Sequence, residues 1–591
     1  MSSKSIPAAI FHNAQTRPDK PAYFVKQAGA WQPTSFATYA GEVRSAAKSL
    51  HALGISKGQT VNILGFNRPE WIIADVAAMC LGAVAAGIYT TNSPAECKYI
   101  ISHSESPVIF LEDVGQWEKV NAVRDDLPDL NKVVMMKGAG SINDDLVLSW
   151  EEFMALGEDV EDSVVSDGIA ALQPGDLATL IYTSGTTGPP KGVMLSVDNL
   201  YFTASRAVKL FDLNDSDVGI SYLPLSHIAE QTFSIHGPTL AGWPVYFAES
   251  IEALPGNLTE VRPTVFFAVP RVWERFHAAV SAKLSEATGI KAKLAAWALG
   301  VGSQVSHLKL AGKKPSGLLA LQYAVAEKLV LSKVKGALGL DRVKFAAVGA
   351  APISVEVLEF IASLDIVVWE IYGQSEDTGP TTTNYVGKAK FGTVGAPFPE
   401  TEVKIAADGE ILVKGRHVFM GYFKAPEATA ETLIDGWLQS GDLGSFDSDG
   451  LLSITGRKKD VIITAGGKNV APAAFESAMK DHPLVSEAIL IGDRRKFLSA
   501  LVTVDEEAAA AFMEKHGLSG PAHSSPEVHA SIQEKVDAVN EKFARVEQIK
   551  KFVILSRQLS IEGGELTPTL KVKRNKVTEH FANEIEEMYA G

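Results

Sequence analysis

The sequence predicts an α/β protein in two unequal parts, and three observations predict it. Short apolar runs of strand length, at 61–65, Val108–Leu111 and 265–269, alternate with helical patterns as far as about residue 440. Such alternation favours parallel or mixed sheets with helices packed on them. The chain has 591 residues, too many for a single core. From about Lys459 the pattern changes to a small α+β unit. It has strand-like runs at 461–464, 487–491, Leu498–Val504 and 552–555, and a closing helix over 577–589. We therefore place a large domain at 1–457 and a small one at 458–591.

Within the large domain, residues 278–340 stand apart as a long Ala/Leu/Lys-rich helical insert, broken at Gly300, Gly302 and 312–317. Lys309, Lys313, Lys314, Lys328, Lys333 and Lys335 make it locally basic. A solvated helical face is the plain reading; contact with an anionic membrane is the sharper one.

Composition bounds the function. Apolar residues make up 46% and charged residues 21% of the chain, as in ordinary globular enzymes. A net charge of −15 argues against nucleic-acid binding. Cys80 and Cys97 cannot build a disulfide framework, so a reducing, cytoplasmic setting is expected. The first residues lack a signal-peptide core. The apolar stretch 76–95 ends in tandem Thr, Asn and Pro, which suits a buried helix followed by a strand better than a membrane span.

The densest chemistry lies in Thr183, Ser184, Gly185, Thr186, Thr187 and Gly188, followed by Lys191. Residues 176–181 before it read as a strand. After it, Ser196 can cap a helix whose apolar positions include Leu200, Ala204, Val208 and Phe211. Glycines let several N–H groups face one anion, hydroxyls add donors, and the lysine adds charge. This is a polyphosphate loop, though not the Walker loop, whose lysine directly follows a glycine and precedes Ser or Thr.

The loop has the form Y-T-S-G-T-T-G-x-P-K-G and resembles that of the adenylate-forming superfamily: acyl-CoA synthetases, peptide-synthetase adenylation domains and beetle luciferases. Further motifs follow in the family's order, from about Pro7 to the C-terminus. The resemblance implies a large N-terminal domain and a mobile C-terminal lid. It implies ATP, Mg²⁺ and CoA as the molecules handled. Tyr372, Gly373, Gln374, Ser375 and Glu376 match the family's Y-G-x-[ST]-E, which implies adenine stacking by Tyr372 and Mg²⁺ at Glu376, with Thr183 on the metal side. Gly349, Ala350, Ala351 and Pro352 would form the adenine wall. Asp442, in Ser-Gly-Asp, would accept from the ribose hydroxyls, and Arg457 would touch ribose or phosphate. Lys459 falls at the family's hinge. Gly466 and Gly467 resemble the loop lining the pantetheine channel. His227 would stand near the carboxylate and gate the acyl pocket; a purely structural histidine is the alternative. Lys571 matches the C-terminal catalytic lysine, with Lys573 as competitor, because Leu570 stands where glycine is usual.

Val-Pro-Arg-Val-Trp-Glu at 269–274 resembles long-chain acyl-CoA synthetases. The stretches 375–380, 415–422 and 563–569 resemble their bubblegum-type branch. The resemblance thus implies a long-chain fatty acid:CoA ligase that forms acyl-AMP and then the thioester. Two rivals are an acyl-AMP ligase serving a carrier protein and a non-catalytic fatty-acid or nucleotide binder. The sequence sets neither chain-length preference nor oligomeric state.

Overall fold

A computed structural model describes residues 4–183, 189–466, 468–567 and 571–590. Two mixed sheets carry most of the chain. One has eight strands. Its centre, Leu177–Thr183, Val84–Ile88, Thr60–Leu64, Val108–Leu111, Lys132–Met135 and Val147–Leu148, is parallel, and Lys191–Ser196 and Gly421–Tyr422 extend it antiparallel. The other has nine strands, with a parallel run through Gly219–Ser221, Val265–Ala268, Phe345–Val348 and Val368–Tyr372. The inner strands of the first sheet are buried along their whole length, as parallel strands covered on both faces must be. Pro69–Cys80 is a helix buried from Glu70 onward and followed by the strand Val84–Ile88, as expected for 76–95. Cys80 and Cys97 are free and buried, and burial pushes the Cys97 thiol up to about 12. No helix among the described residues is long and apolar enough to cross a membrane.

A five-stranded antiparallel sheet follows, containing Glu410–Lys414, Trp437–Phe446 and Leu452–Arg457. Two apolar clusters draw only on residues from Ile462 onward. Their sheet is Val485–Ile491, Leu498–Val504 and Ile549–Ile554.

Several expectations needed correction. The helix Gly289–Leu310 runs unbroken through Gly300 and Gly302. Gly302 is there for proximity: a Cβ would stand 2.1 Å from the Ser363 carbonyl oxygen. The break at 312–317 is real, because Gly312 and Gly317 both take positive φ. The closing helix is two helices, Arg574–His580 and Ala582–Tyr589, which lets Phe581 turn into the core between them. The strand expected at 366–369 begins at Val368, after Asp365 turns the chain at φ +66°. Of the insert's lysines, Lys309 and Lys335 point inward to the Asp365 carboxylate, at 2.6 and 3.0 Å.

Candidate active site

The two large sheets, the five-stranded sheet and the C-terminal unit meet around one group of polar side chains. Leu177–Thr183 and Lys191–Ser196 pair antiparallel, which sets Thr183 opposite Lys191 at the two ends of residues 184–188. Ser184, Gly185, Thr186, Thr187 and Gly188 lie outside the described residues. The Thr183 hydroxyl donates to the Lys191 carbonyl at 3.5 Å. Beyond the loop, Ser196 caps the helix Val197–Leu210 reciprocally with Asn199, an arrangement worth about 1 kcal/mol. The Asn199 amide also donates to the carbonyls of Arg416 and Val418, at 2.6 and 3.1 Å. The helix start is thereby tied to the segment that leads to Tyr422.

Glu376 sits on a single 3-10 turn, Ser375–Asp377, directly after the strand Val368–Tyr372. Buried Asp377 holds that turn by accepting from the Gln374 N–H at 2.7 Å and from the Thr381 hydroxyl. Burial raises its pKa well above the usual carboxylate range. Gly373 has no room for a side chain, since a Cβ would overlap the Gly379 carbonyl oxygen. The Glu376 carbonyl accepts from the Phe419 N–H at 2.8 Å. Its Oε1 accepts from the Tyr422 hydroxyl at 2.8 Å. The Lys191 ammonium lies 4.7 Å from the centroid of the same Tyr422 ring. Tyr422 thus bridges the carboxylate and the lysine. In the sequence Tyr422 stands out only as the last residue of the stretch 415–422. Its signal was the preceding Gly421, at φ +131°, which sets the tyrosine in the edge strand beside Val193.

Asp442 and Arg457 face each other across two antiparallel strands. Asp442 is buried. Its Oδ1 accepts from Arg457 Nε at 2.8 Å and its Oδ2 from the Tyr372 hydroxyl at 2.9 Å. The Asp442 charge raises the Arg457 pKa, and burial raises that of Tyr372. The Gln374 amide donates to the Ser440 carbonyl at 3.5 Å. Tyr372, Gln374, Asp442 and Arg457 therefore form one connected patch. Gly349 lies alongside: a Cβ there would be 3.0 Å from the Ile371 carbonyl oxygen and 3.3 Å from the Phe267 ring. Ala350, at φ +69°, Ala351 and Pro352 continue it as exposed backbone.

Lys571 comes from the C-terminal unit into this group. Desolvation lowers its pKa and the Arg457 charge lowers it further, while Asp442 and Glu376 act in the opposite sense. Lys571 is nonetheless exposed to solvent. The Lys571 charge also reaches His227, whose pKa falls to about 4, mainly through burial. His227 Nδ1 accepts from the Ala229 N–H at 3.2 Å and caps the helix Ile228–Gln231. The neutral ring therefore carries its proton on Nε2. His227 is both a structural cap and a neighbour of Lys571. Lys573 opens the helix Arg574–His580, and its N–H donates to the Glu565 carbonyl at 2.7 Å.

Lys571 is carried on a hairpin whose ends are joined by the antiparallel bridge between Leu566 and Val572. The N–H of Thr567 donates to the Lys571 carbonyl at 2.8 Å, and the Lys571 N–H donates to the Thr567 hydroxyl at 3.0 Å. Residues 568–570 lie outside the described residues. At its base, the fully buried Glu565 accepts from Arg557 Nη2 at 2.6 Å, His580 Nδ1 at 2.7 Å and the Ser560 N–H at 3.1 Å. The Arg557 hydrogen bond leads in holding its carboxyl down at about 2.

Lys459 is exposed in the turn Lys458–Asp460, while its neighbour Lys458 is anchored to Asp408 and Glu410, at 2.6 and 2.8 Å. Gly466 is exposed in the hairpin between Ile462–Ile463 and Asn469–Val470 and is not brought into the Glu376–Asp442–Lys571 group; Gly467 lies outside the described residues. The motif at 269–274 reaches across to the C-terminal unit. Trp273 is buried, and Arg271 pairs with Asp505 of the C-terminal unit at 2.8 Å.

Among the described residues, no three or more His, Cys, Asp and Glu side chains gather to hold a metal. Mg²⁺ takes one or two carboxylates together with phosphate oxygens and water. Glu376, with Oε1 bound to Tyr422 and Oε2 left over, fits such a donor set.

Comparison with known proteins gives the lineage. Residues 10–423 match the AMP-binding enzyme family, and residues 459–591 match the AMP-binding enzyme C-terminal domain. The chain is 42% identical to Long-chain-fatty-acid--CoA ligase ACSBG2 of Xenopus laevis, over 95% of this chain and 81% of that protein. It is 39% identical to the Homo sapiens protein of that name, over 96% and 90%. To Long-chain-fatty-acid--CoA ligase FadD15 of Mycobacterium tuberculosis it is 35% identical, over 99% and 97%. Among solved structures, the A domain of carboxylic acid reductase from Segniliparus rugosus superposes with a TM-score of 0.75 at 21% identity, covering 99% of this chain and 94% of that one. The o-succinylbenzoate CoA synthetase of Bacillus subtilis gives 0.70 at 23%, covering 96% and 97%. The chain belongs to the AMP-binding enzyme family, in the group that contains these long-chain-fatty-acid–CoA ligases.

Proposed function

We propose that this protein is an AMP-forming long-chain fatty acid:CoA ligase, with a large domain at 1–457 and a C-terminal lid at 458–591. The observation that carries the reading is the hydrogen-bonded patch of Tyr372, Asp442 and Arg457, with Lys571 near enough to feel the charges of Arg457, Asp442 and Glu376. In the first half-reaction a fatty-acid carboxylate oxygen attacks the α-phosphorus of ATP, and the bond to pyrophosphate breaks. Such transfer asks the protein mainly to align groups and neutralise charge. Tyr372 and the Gly349–Pro352 backbone take the adenine, and Asp442 with Arg457 takes the ribose. Lys191 and the Ser184–Gly188 loop meet the phosphates. Bound at Glu376 and Thr183, Mg²⁺ would neutralise pyrophosphate charge. Lys571 steadies the carboxylate and the adenylate, with neutral His227 beside it. In the second half-reaction the CoA sulfur attacks the acyl carbonyl and AMP leaves. The lid turns about Lys459 to bring the Gly466–Gly467 loop to the pantetheine arm. The setting is the cytoplasm, with the basic insert meeting a membrane.

Palmitate-dependent exchange of pyrophosphate into ATP tests this directly, followed by CoA and a holo-carrier protein as competing acceptors. Exchange without palmitate, or thioester on the carrier alone, overturns the reading.

A further inference from the structure

The helix Gly317–Ala326 continues through a wide turn, Glu327–Leu331, and carries an apolar row that the fold leaves uncovered. Leu318, Leu321, Val325 and Leu329 are 70, 69, 48 and 43% exposed. Their spacing of three, four and four residues places them on one face. The other side of the helix, including Tyr323, Ala326 and Leu331, packs with Ala298 and Val301 of the helix Gly289–Leu310. The helix is thus apolar towards the protein and towards the outside, which a water-facing helix avoids. It is also firmly seated. Buried Asp365 accepts from Lys309, Lys335 and the Tyr323 hydroxyl, at 2.6, 3.0 and 2.8 Å.

The charge around the row has one sign. Residues 289–340 hold eight lysines and a single glutamate, in a chain whose net charge is −15. Lys313, Lys314, Lys328 and Lys333 are exposed, and among the described residues none of the four joins an ion pair. Lys313 and Lys314 precede the helix, and Lys328 adjoins Leu329. A two-fold partner built from a second copy would bring the same basic face against itself. An anionic phospholipid surface offers negative charge for the lysines and acyl chains for the leucines.

We infer that this face is a membrane-docking surface: Leu318, Leu321, Val325 and Leu329 enter the interface of an anionic bilayer, while Lys313, Lys314, Lys328 and Lys333 hold its head groups. The inference rests on the ligase reading for its purpose, since long-chain fatty acids partition into bilayers and a docked enzyme meets them there.

The test is co-flotation of the full-length protein with vesicles, either mixed phosphatidylcholine–phosphatidylglycerol or phosphatidylcholine alone. The protein is expected to float with the mixed vesicles, less so at high salt, and poorly with the neutral ones. Leu318→Ser/Leu321→Ser is expected to lower partitioning by about tenfold. Lys313→Gln/Lys314→Gln is expected to lower it roughly twenty-five-fold, from about fivefold per lysine. Both variants keep wild-type activity on a fatty acid short enough to be monomeric in solution. They lose activity on palmitate supplied in vesicles. Wild-type indifference to anionic vesicles, or variants that float as well as the wild type, overturns the inference. So does a change in sedimentation mass of the leucine variant without a change in flotation, which would mark a contact between copies. Expected flotation together with no activity on any fatty acid would overturn the ligase reading and leave docking intact.

Discussion

Tyr422 donates its hydroxyl to Glu376 Oε1 at 2.8 Å while its ring lies under the Lys191 ammonium. One side chain therefore orients two groups of opposite charge that both serve the phosphates in the proposed mechanism. Tyr422→Phe keeps the ring and removes the bond to the carboxylate. A hydrogen bond to a charged group is worth about 1.5–3 kcal/mol, so pyrophosphate exchange should fall by roughly tenfold or more. The Mg²⁺ concentration for half-maximal exchange should rise. Tyr422→Leu, which also removes the ring, should cost more. Wild-type Mg²⁺ dependence in Tyr422→Phe would show that the hydroxyl does not position Glu376.

The Arg271–Asp505 pair links the helix Pro270–Ser285 to the C-terminal unit in the pose that brings Lys571 to Asp442. It is partly exposed, and such pairs contribute only about 0–1 kcal/mol. Arg271→Ala should therefore leave thermal stability unchanged within error. It should slow acyl-AMP formation a fewfold without slowing thioester formation from supplied acyl-AMP. Equal slowing of both steps would contradict a role in favouring one pose. Lys459→Pro stiffens the turn that would pivot and should do the opposite, sparing the first step and slowing the second.

Glu565 anchors the base of the Lys571 hairpin. Its folded pKa of about 2 lies below the ordinary value of 4.5. The sign follows: its contribution to stability is fully present above about 4.5 and is lost as pH falls towards 2. Glu565→Gln should lose that acid-limb dependence, so its unfolding midpoint should vary less between those pH values than the wild type's. At neutral pH it should slow acyl-AMP formation more than thioester formation, because the hairpin is loosened. An unchanged acid limb would contradict the burial of a charged carboxylate there.

Much of the fold was legible because buried parallel strands are nearly continuous apolar runs, as at Val108–Leu111 and Leu498–Val504. Strand ends were less legible: Asp365, in a left-handed turn, delays the strand that the apolar pattern opened at Ile366. Gly300 and Gly302 look like breaks in the sequence, but only the Ser363 carbonyl across the helix interface explains Gly302, and local sequence does not reveal such a neighbour. In the site, the spacing of Tyr372, Glu376, Asp442 and Arg457 carried the motif, but not the Tyr372–Asp442 bond, which spans 70 residues. Tyr422 and Arg271 escaped because each acts through a partner far along the chain. The row at Leu318, Leu321, Val325 and Leu329 was invisible for another reason: apolar periodicity identifies a face, and only packing says whether that face is covered.

The depressed pKa of Lys571 gives a pH dependence. The ammonium is the form that neutralises charge, so acyl-AMP formation should fail as pH rises through a value below the ordinary 10.5 of lysine. His227, with a pKa of about 4, is neutral across the working range and should contribute no limb near neutrality. Lys571→Arg, charged at all accessible pH, should abolish the alkaline limb even if it lowers the plateau. An alkaline limb that persists in Lys571→Arg belongs to another group.

In the proposed mechanism Lys571 serves acyl-AMP formation and withdraws for thioester formation. The most direct measurement is single-turnover kinetics of Lys571→Ala on the two half-reactions separately, with circular dichroism to show that the variant is folded. Given ATP and palmitate, acyl-AMP formation should fall by about a hundredfold or more, the loss expected for a group that stabilises developing charge. Given ready-made palmitoyl-AMP and CoA, thioester formation should stay near the wild-type rate. Equal loss in both half-reactions would contradict the account, and a selective loss in Lys573→Ala instead would move the catalytic role two residues along the chain.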